Sequence, residues 1–387
     1  MEDRSAFRES TRRWLETNCP MEMRAPPVEE ERCWGGKKWH FHSESQRIWL
    51  ERMVTKGWTA PAWSTEFGGA GLSPEEVLVL REEMARLRCR SPLDSLGIWM
   101  LGPALLKYGT EEQRRKHLPP IARGQIRWCQ GYSEPEAGSD LASLRTRAER
   151  RGEQFVINGT KIWTSFANVA DWMFCLVRTD PTSPKHDGIS MVLIEMDTPG
   201  IDARPIKLIF GASAFCEVKL TDVKVPAENL VGPLNRGWDV AKYLLSRERG
   251  SIADNKVLMG DPPLGVLAKR AVGSADGRLD QSMLRTDIAA YEMDALALMS
   301  LLQRVAELRG SASLHPNFSS VVKYASAAVH QRKHELLVAI NGTAALAQNA
   351  DSLAAHDWLK SKGNSIEGGT SEIQLNIIAK RILELPN

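Results

Sequence analysis

The feature that most narrows the fold of this chain is a change of period. Up to about residue 125 the apolar residues recur at helical spacing. From about 126 to 233 they fall in short strand-length runs, and from Gly237 onward the helical spacing returns. SPEEVLVLREEMARL carries a Ser N-cap, acids in its first turn and apolar residues at i, i+3, i+4 and i+7. TEEQRRKHLPPIARG reads as a second capped helix, ending near Pro119-Pro120. Between the first helices, WTAPAWSTEFGGAGLS is too rich in breakers for regular structure. In the middle, GEQFVINGTKIWTS sets Asn158-Gly159 between β-branched and aromatic residues, which predicts a hairpin turn. DWMFCLVRT, GISMVLIEM and FCEVKLTDVKVP follow at strand length. Three long helical segments begin at Gly237, Met283 and Phe318, and a last helix follows Gly369. Four antiparallel helices are the simplest packing for them. The expected fold class is α+β, mainly α: a helical domain over 1–125, a β-barrel or sandwich over 126–234 and a helical bundle over 235–387.

Composition removes several function classes. Lys and Arg number 50 against 48 Asp and Glu, and no basic run interleaved with aromatics appears, so a nucleic-acid partner is not expected. Arg12-Arg13 and Arg114-Arg115-Lys116 read as solvated helix faces. No stretch approaches the ~18–20 apolar residues that span a bilayer, so no membrane insertion is expected. MEDRSAFRESTRRWL lacks the apolar centre of a signal peptide. Cys19, Cys33, Cys89, Cys129, Cys175 and Cys216 are scattered without a CxxC, so neither a metal site nor a disulfide framework is expected. A reducing, cytoplasmic setting follows.

Two short stretches hold chemistry. YSEPEAGSD, Tyr132 to Asp140, gathers hydroxyls and backbone N–H groups in an irregular loop, suited to a polar planar ligand or to a plain Pro/Gly connector. SIEGGTSEIQ sets Glu367 and Glu372 around a Gly-Gly-Thr turn, as a catalytic carboxylate would require or as a helix cap alone would. YSEPEAGSD, NGTKIWTS, FCEVKLTDVKVPAENLVG and GGTSEIQLNIIAKRIL, in that order, resemble the signature blocks of the acyl-CoA dehydrogenase family across essentially the whole chain. The resemblance implies that family's fold: an N-terminal helical domain, a central β-barrel and a C-terminal four-helix bundle. It also implies FAD as cofactor, an acyl-CoA substrate and an electron-transfer flavoprotein as acceptor. By the same resemblance, Ser133 meets the N5/O4 edge of the flavin with Tyr132 beside it, while Trp163 covers the isoalloxazine and Ser165 bonds it. Ser139 and Arg249 contact the substrate, Ser139 at the cofactor edge as well, and Thr370 and Glu372 meet the AMP half of FAD.

Dehydrogenation between Cα and Cβ needs a partly desolvated carboxylate for the α-proton. Where many family members carry that Glu, this chain has Gly368, and Glu367 is displaced by one residue. Other branches place the base before an Arg on the first helix of the C-terminal bundle, where this chain has Glu248-Arg249. Trp238, Ala241, Leu245 and Glu248 share one helical stripe, and a carboxylate on an apolar stripe is costly unless paired or functional. Glu248 is therefore the expected base, with Glu367 second.

Two FAD-binding stretches of homotetrameric members, Arg-x-x-Phe-Gly and Gln-x-x-Gly-Gly, are missing. Residues 257–277 and Ala339–Leu346 stand in their places, and Pro262-Pro263 must break the helix. The pattern resembles the heterotetrameric acyl-CoA dehydrogenases of steroid and bile-acid side-chain degradation, where a homologous second subunit completes the flavin site; otherwise a homo-oligomer is implied. The competing readings are an acyl-CoA oxidase, a related flavin hydroxylase and a non-catalytic subunit that completes a partner's flavin site.

Overall fold

A computed structural model describes residues 2–25, 31–211, 214–253, 262–274, 276–308, 314–346 and 353–386, with backbone alone for 2–4, 246–253 and 306. The chain divides into two units, Met1–Ile206 with Ala214–Leu244, and Lys207–Ser213 with Leu245–Asn387.

The first unit begins with five helices: α1 (Glu2–Asn18), α2 (Glu44–Thr55), α3 (Pro74–Arg86), α4 (Gly102–Tyr108) and α5 (Glu111–Ala122). The start of α3 follows from its first four residues. Ser73 accepts the Glu76 N–H, the Glu76 carboxylate takes the Ser73 N–H at 2.8 Å, and Pro74 costs no hydrogen bond at the first helical position. Thr110 and Gln113 form the same box at α5. Contrary to expectation, α5 does not stop at Pro119-Pro120 but runs to Ala122. The prolines forfeit two N–H donors, yet Leu118 and Ile121 are fully buried, and the proline carbonyls still accept from Arg123 and Gln125 at 3.1 and 2.9 Å. Packing on both sides of the pair holds the last turn. α1 is pinned to α3 by Glu83, whose buried carboxylate meets Arg8, Arg12 and Arg86 at 2.8–3.1 Å.

Eight strands follow: β1 (Trp128–Gly131), β2 (Arg147–Arg151), β3 (Gln154–Ser165), β4 (Trp172–Arg178), β5 (Ile189–Glu195), β6 (Ile201–Ile206), β7 (Phe215–Pro226) and β8 (Leu230–Val231). They form one sheet in the order β6-β7-β3-β2-β4-β5-β8, with β1 parallel to β4. Cys129, Ala148, Ile157, Cys175, Ile194 and Val218, from six different strands, meet in a single apolar cluster. The sheet therefore curls around its own core, as a barrel wall does.

Asn158-Gly159 is not a hairpin turn: β3 runs straight through it, with a register slip between Ile157 and Gly159. The Asn158 side chain pairs across to β7 instead. Its amide nitrogen donates to Asp222 Oδ1 at 3.0 Å and its oxygen accepts the Asp222 N–H at 2.9 Å. The hairpin turn falls earlier, where Arg151 faces Gln154 across Gly152-Glu153.

α6 (Gly237–Ala253) crosses from the first unit into the second. The second unit also holds α7 (Leu264–Val272), α8 (Ser282–Leu308), α9 (Ser319–Asn341), α10 (Ala354–Ser361) and α11 (Ser371–Ile377). α7 opens directly after Pro262-Pro263, with Pro263 as its N-cap. Leu264, Ile288, Leu298, Val329 and Leu336 tie α7, α8 and α9 into one core. No helix among the described residues is long and apolar enough to cross a membrane.

Candidate functional site

The loop Tyr132–Asp140 leaves the end of β1, and β3 runs beside its first residues. The Ser133 carbonyl accepts the Ile162 N–H at 2.9 Å. One carboxylate then fastens both ends of the loop. Glu134 Oε2 accepts the Arg145 N–H at 2.7 Å, and Oε1 accepts the Thr146 N–H and the Lys161 ammonium, both at 2.8 Å. Lys161 is 0% exposed and also donates to the Tyr132 carbonyl at 3.0 Å. Burial alone would raise the Glu134 carboxyl; the Lys161 charge and these donors outweigh it and hold the group below its usual range. The sequence singled out the loop and NGTKIWTS separately. The ion pair that joins them, Glu134 with Lys161, it did not show.

Downstream of Lys161, β3 bulges against β7, with the register shifting between Lys161 and Thr164. Trp163 sits on the bulge at φ +59, and Phe166 just past the strand at φ +52. Both occupy the left-handed region that bulky residues rarely enter, a strain that accumulates at functional positions. The bulge turns the Trp163 indole outward, where it is 53% exposed and stands perpendicular to the Phe215 ring at 6.2 Å. The Ser133 and Ser165 hydroxyls are half-buried and make no hydrogen bond within the described residues. Tyr132 is buried, with its ring edge-on to Phe174 at 5.9 Å. Ser139 lies exposed at the loop tip, next to the Asp140–Lys185 ion pair. Ser133, Trp163 and Ser165 thus belong to two adjoining segments, whereas Tyr132 serves the core.

In the second unit, the Gly368-Gly369 turn is held from three sides. Lys323 of α9 donates to the Gly369 carbonyl at 2.7 Å, and Gln374, 0% exposed, donates to both glycine carbonyls at 3.0 and 3.2 Å. Burial lowers the Lys323 ammonium, against the charges of Glu367 and Glu372. Gly369 has φ +94, and a Cβ there would lie 2.5 Å from the Gln374 amide nitrogen. Thr370 caps α11 by accepting the Ile373 N–H at 3.3 Å. The Glu372 carboxylate is held below its usual range by its own backbone N–H and the Thr370 hydroxyl. Glu367 is exposed and accepts from the Asn364 amide at 2.6 Å. Gln374 and Lys323 escaped sequence reasoning, since an amide inside IQLNII and a lysine inside VVKYAS look like ordinary helix residues.

Glu248 and Arg249 fall on the backbone of α6, and their side chains lie outside the described residues. Earlier on that helix the buried face is Val240, Ala241 and Leu244. Trp238 and Leu245, expected on that face, are only half-buried, and Trp238 lies against His186 at 5.0 Å.

Helices, a curled sheet and helices again form the fold of a flavin-dependent acyl-CoA oxidoreductase. Three family models match the chain: acyl-CoA dehydrogenase N-terminal domain over residues 1–125, middle domain over 129–223 and C-terminal domain over 235–383. The chain is 35% identical over 393 residues to acyl-CoA dehydrogenase IpdE1 of Mycobacterium tuberculosis, covering 100% of this chain and 99% of that one. Among solved structures, the Tcur3481-Tcur3483 steroid ACAD matches with a TM-score of 0.77 at 30% identity, over 100% of this chain and 98% of that one. The ChsE4-ChsE5 complex from Mycobacterium tuberculosis matches with a TM-score of 0.76 at 29% identity, over 100% and 98%. The chain belongs to the acyl-CoA dehydrogenase family and is an enzyme of that kind.

Proposed function

We propose that the chain carries out the FAD-dependent α,β-dehydrogenation of a bulky acyl-CoA thioester, of the steroid or bile-acid side-chain class, with Glu248 as the base. The observation that carries the cofactor is the pair of half-buried hydroxyls without a hydrogen bond among the described residues, Ser133 and Ser165, together with an outward-turned Trp163. Such a set fits a flat heteroaromatic ring with acceptors along one edge: hydroxyls for the edge, an indole for the face. When bound, FAD supplies the two-electron acceptor for the hydride that leaves Cβ. Ser133 and Ser165 would orient that ring, Trp163 would cover it, Ser139 and Arg249 would hold the CoA thioester, and Thr370 and Glu372 would bind the AMP half. Glu248 takes the α-proton on its carboxylate, so that the Cα–H electron pair becomes the new double bond. The favoured acceptor of the electrons is an electron-transfer flavoprotein.

The choice of Glu248 over Glu367 is supported by register and by environment. Glu248 follows Ala241 by seven residues and Leu244 by four, which continues the buried stripe of α6. Glu367 is exposed, and its carboxylate is engaged by Asn364. The bulky substrate and a homologous second subunit are supported by the similarity to a steroid ACAD and to the ChsE4-ChsE5 complex, together with the missing Arg-x-x-Phe-Gly and Gln-x-x-Gly-Gly stretches. Those same losses favour a second reading, a subunit that completes the flavin site of a partner. The buried free cysteines suit a reducing, cytoplasmic setting.

Glu248→Gln tests the assignment. The variant should keep its flavin and lose substrate bleaching of the flavin band by about 10³-fold or more, near the upper range for a general base. Unchanged bleaching would transfer the role to Glu367. Loss of bleaching only in Glu367→Gln would do so directly.

A further inference from the structure

Arg127 is a buried cation whose guanidinium has no hydrogen-bonded carboxylate among the described residues. It is 8% exposed, its Nη2 meets no hydrogen-bond acceptor among the described residues, and burial pulls it down to about 10. Its backbone is already fixed, because its N–H donates to Asp171 Oδ2 at 2.8 Å and its carbonyl accepts from Asp171 and Trp172. What the guanidinium does touch is aromatic: the Phe166 ring at 4.6 Å and the Trp34 ring at 5.0 Å, with those two rings 5.2 Å apart. Trp34 is brought there by Gly36, where a Cβ would lie 2.7 Å from Arg127 Cβ and 2.8 Å from Asp171 Oδ2.

Phe166 is the residue that needs such a neighbour. At φ +52 it occupies a conformation that Asn or Gly adopts with little cost and that an aromatic residue resists. It directly follows Ser165, and its N–H donates to Ala214 O at 2.8 Å. Arg127 directly precedes β1, which delivers Ser133. One side chain therefore stands between the start of one ligand-facing segment and the end of the other.

We propose that Arg127, with Trp34, is a positioning residue: its guanidinium clamps the Phe166 ring, holds the left-handed turn and so sets where Ser165 and Trp163 stand. A cation desolvated against two neighbouring rings makes this contact at its strongest. The consequence for flavin rests on the function proposed above, whereas the clamp itself does not.

The test is a mutant cycle on the full chain, read by hydrogen exchange at the Phe166 amide and, separately, by the visible circular dichroism of bound flavin. Arg127→Met should speed exchange at Phe166 about tenfold or more and shift the flavin band. Phe166→Asn, which takes the left-handed turn unaided, should exchange within about twofold of the parent. Added to Arg127→Met, it should restore slow exchange. A general structural role for Arg127 predicts the opposite, a double variant as fast as Arg127→Met alone. That result, or no change in Arg127→Met, overturns the clamp. If Arg127→Met fails to fold, Trp34→Leu with and without Phe166→Asn decides by the same criterion. If the parent binds no FAD with any partner, the functional reading falls while the exchange cycle still decides the clamp.

Discussion

Single residues here carry more of the architecture than their positions in the sequence announce. Glu83 is one of six charged residues in PEEVLVLREEMAR, and it alone is buried, between three arginines. Hydrogen bonds from Arg12, Arg86 and Arg8 outweigh its burial and hold its carboxyl down to about 2. Because the folded value lies below the unfolded value of ~4.3, the stability it contributes is full above about pH 4.3. That contribution disappears as pH falls from there towards about 2. Glu83→Ala should cost about 2 kcal/mol at pH 7, as lost charged hydrogen bonds do. Denaturant titrations at pH 7, 4 and 2.5 should show that the gap between parent and variant narrows with acid; a constant gap refutes the ion-pair account. Lys161 shows why such residues are hard to read. Its strand register alone predicts an inward position that a lysine should avoid, and Glu134, 27 residues earlier, together with the Tyr132 carbonyl, makes it acceptable.

At the level of elements, local signals succeeded where their partners were local. The capping boxes at Ser73 and Thr110 were legible because both halves lie within four residues. Asn158-Gly159 misled because the Asn amide is spent on Asp222 of another strand, and Pro119-Pro120 misled because packing on both sides outvoted propensity. The Gly368-Gly369 turn gives the element-scale prediction. Gly369→Ala strains a left-handed residue and pushes Cβ into Gln374, which should cost about 1–3 kcal/mol. Gly363→Ala, in open space nearby, should change stability by less than about 0.5 kcal/mol. Chemical denaturation of both variants separates them, and equal costs would show that the turn is not a constrained point.

For the whole molecule, the period change made the order of helices, sheet and helices readable, and spaced motifs made the family readable. What stayed hidden were contacts made at long range and the helices α7 and α10, short segments whose apolar faces are set by their neighbours. The proposed assembly predicts that the chain expressed alone retains well under one FAD per polypeptide, and that co-expression with a homologous subunit restores it. Flavin absorbance against protein mass, with the oligomer measured by light scattering, checks this. A flavin-saturated homotetramer of the single chain contradicts it.

The Glu134 carboxylate ties residue 134 to residues 145 and 146. The Glu134–Ala137 backbone pair and the Glu136–Arg145 ion pair fasten the near side of the loop, and Gly138 and Ser139 stay outside the knot. A loop anchored at its feet is free to change at its crown. On the proposed function, substitutions at Gly138 and Ser139 can retune what the crown meets without disturbing the registers of β1 and β3 that place Ser133 and Ser165. One buried charge thereby separates the part of the loop that holds its shape from the part that is free to vary.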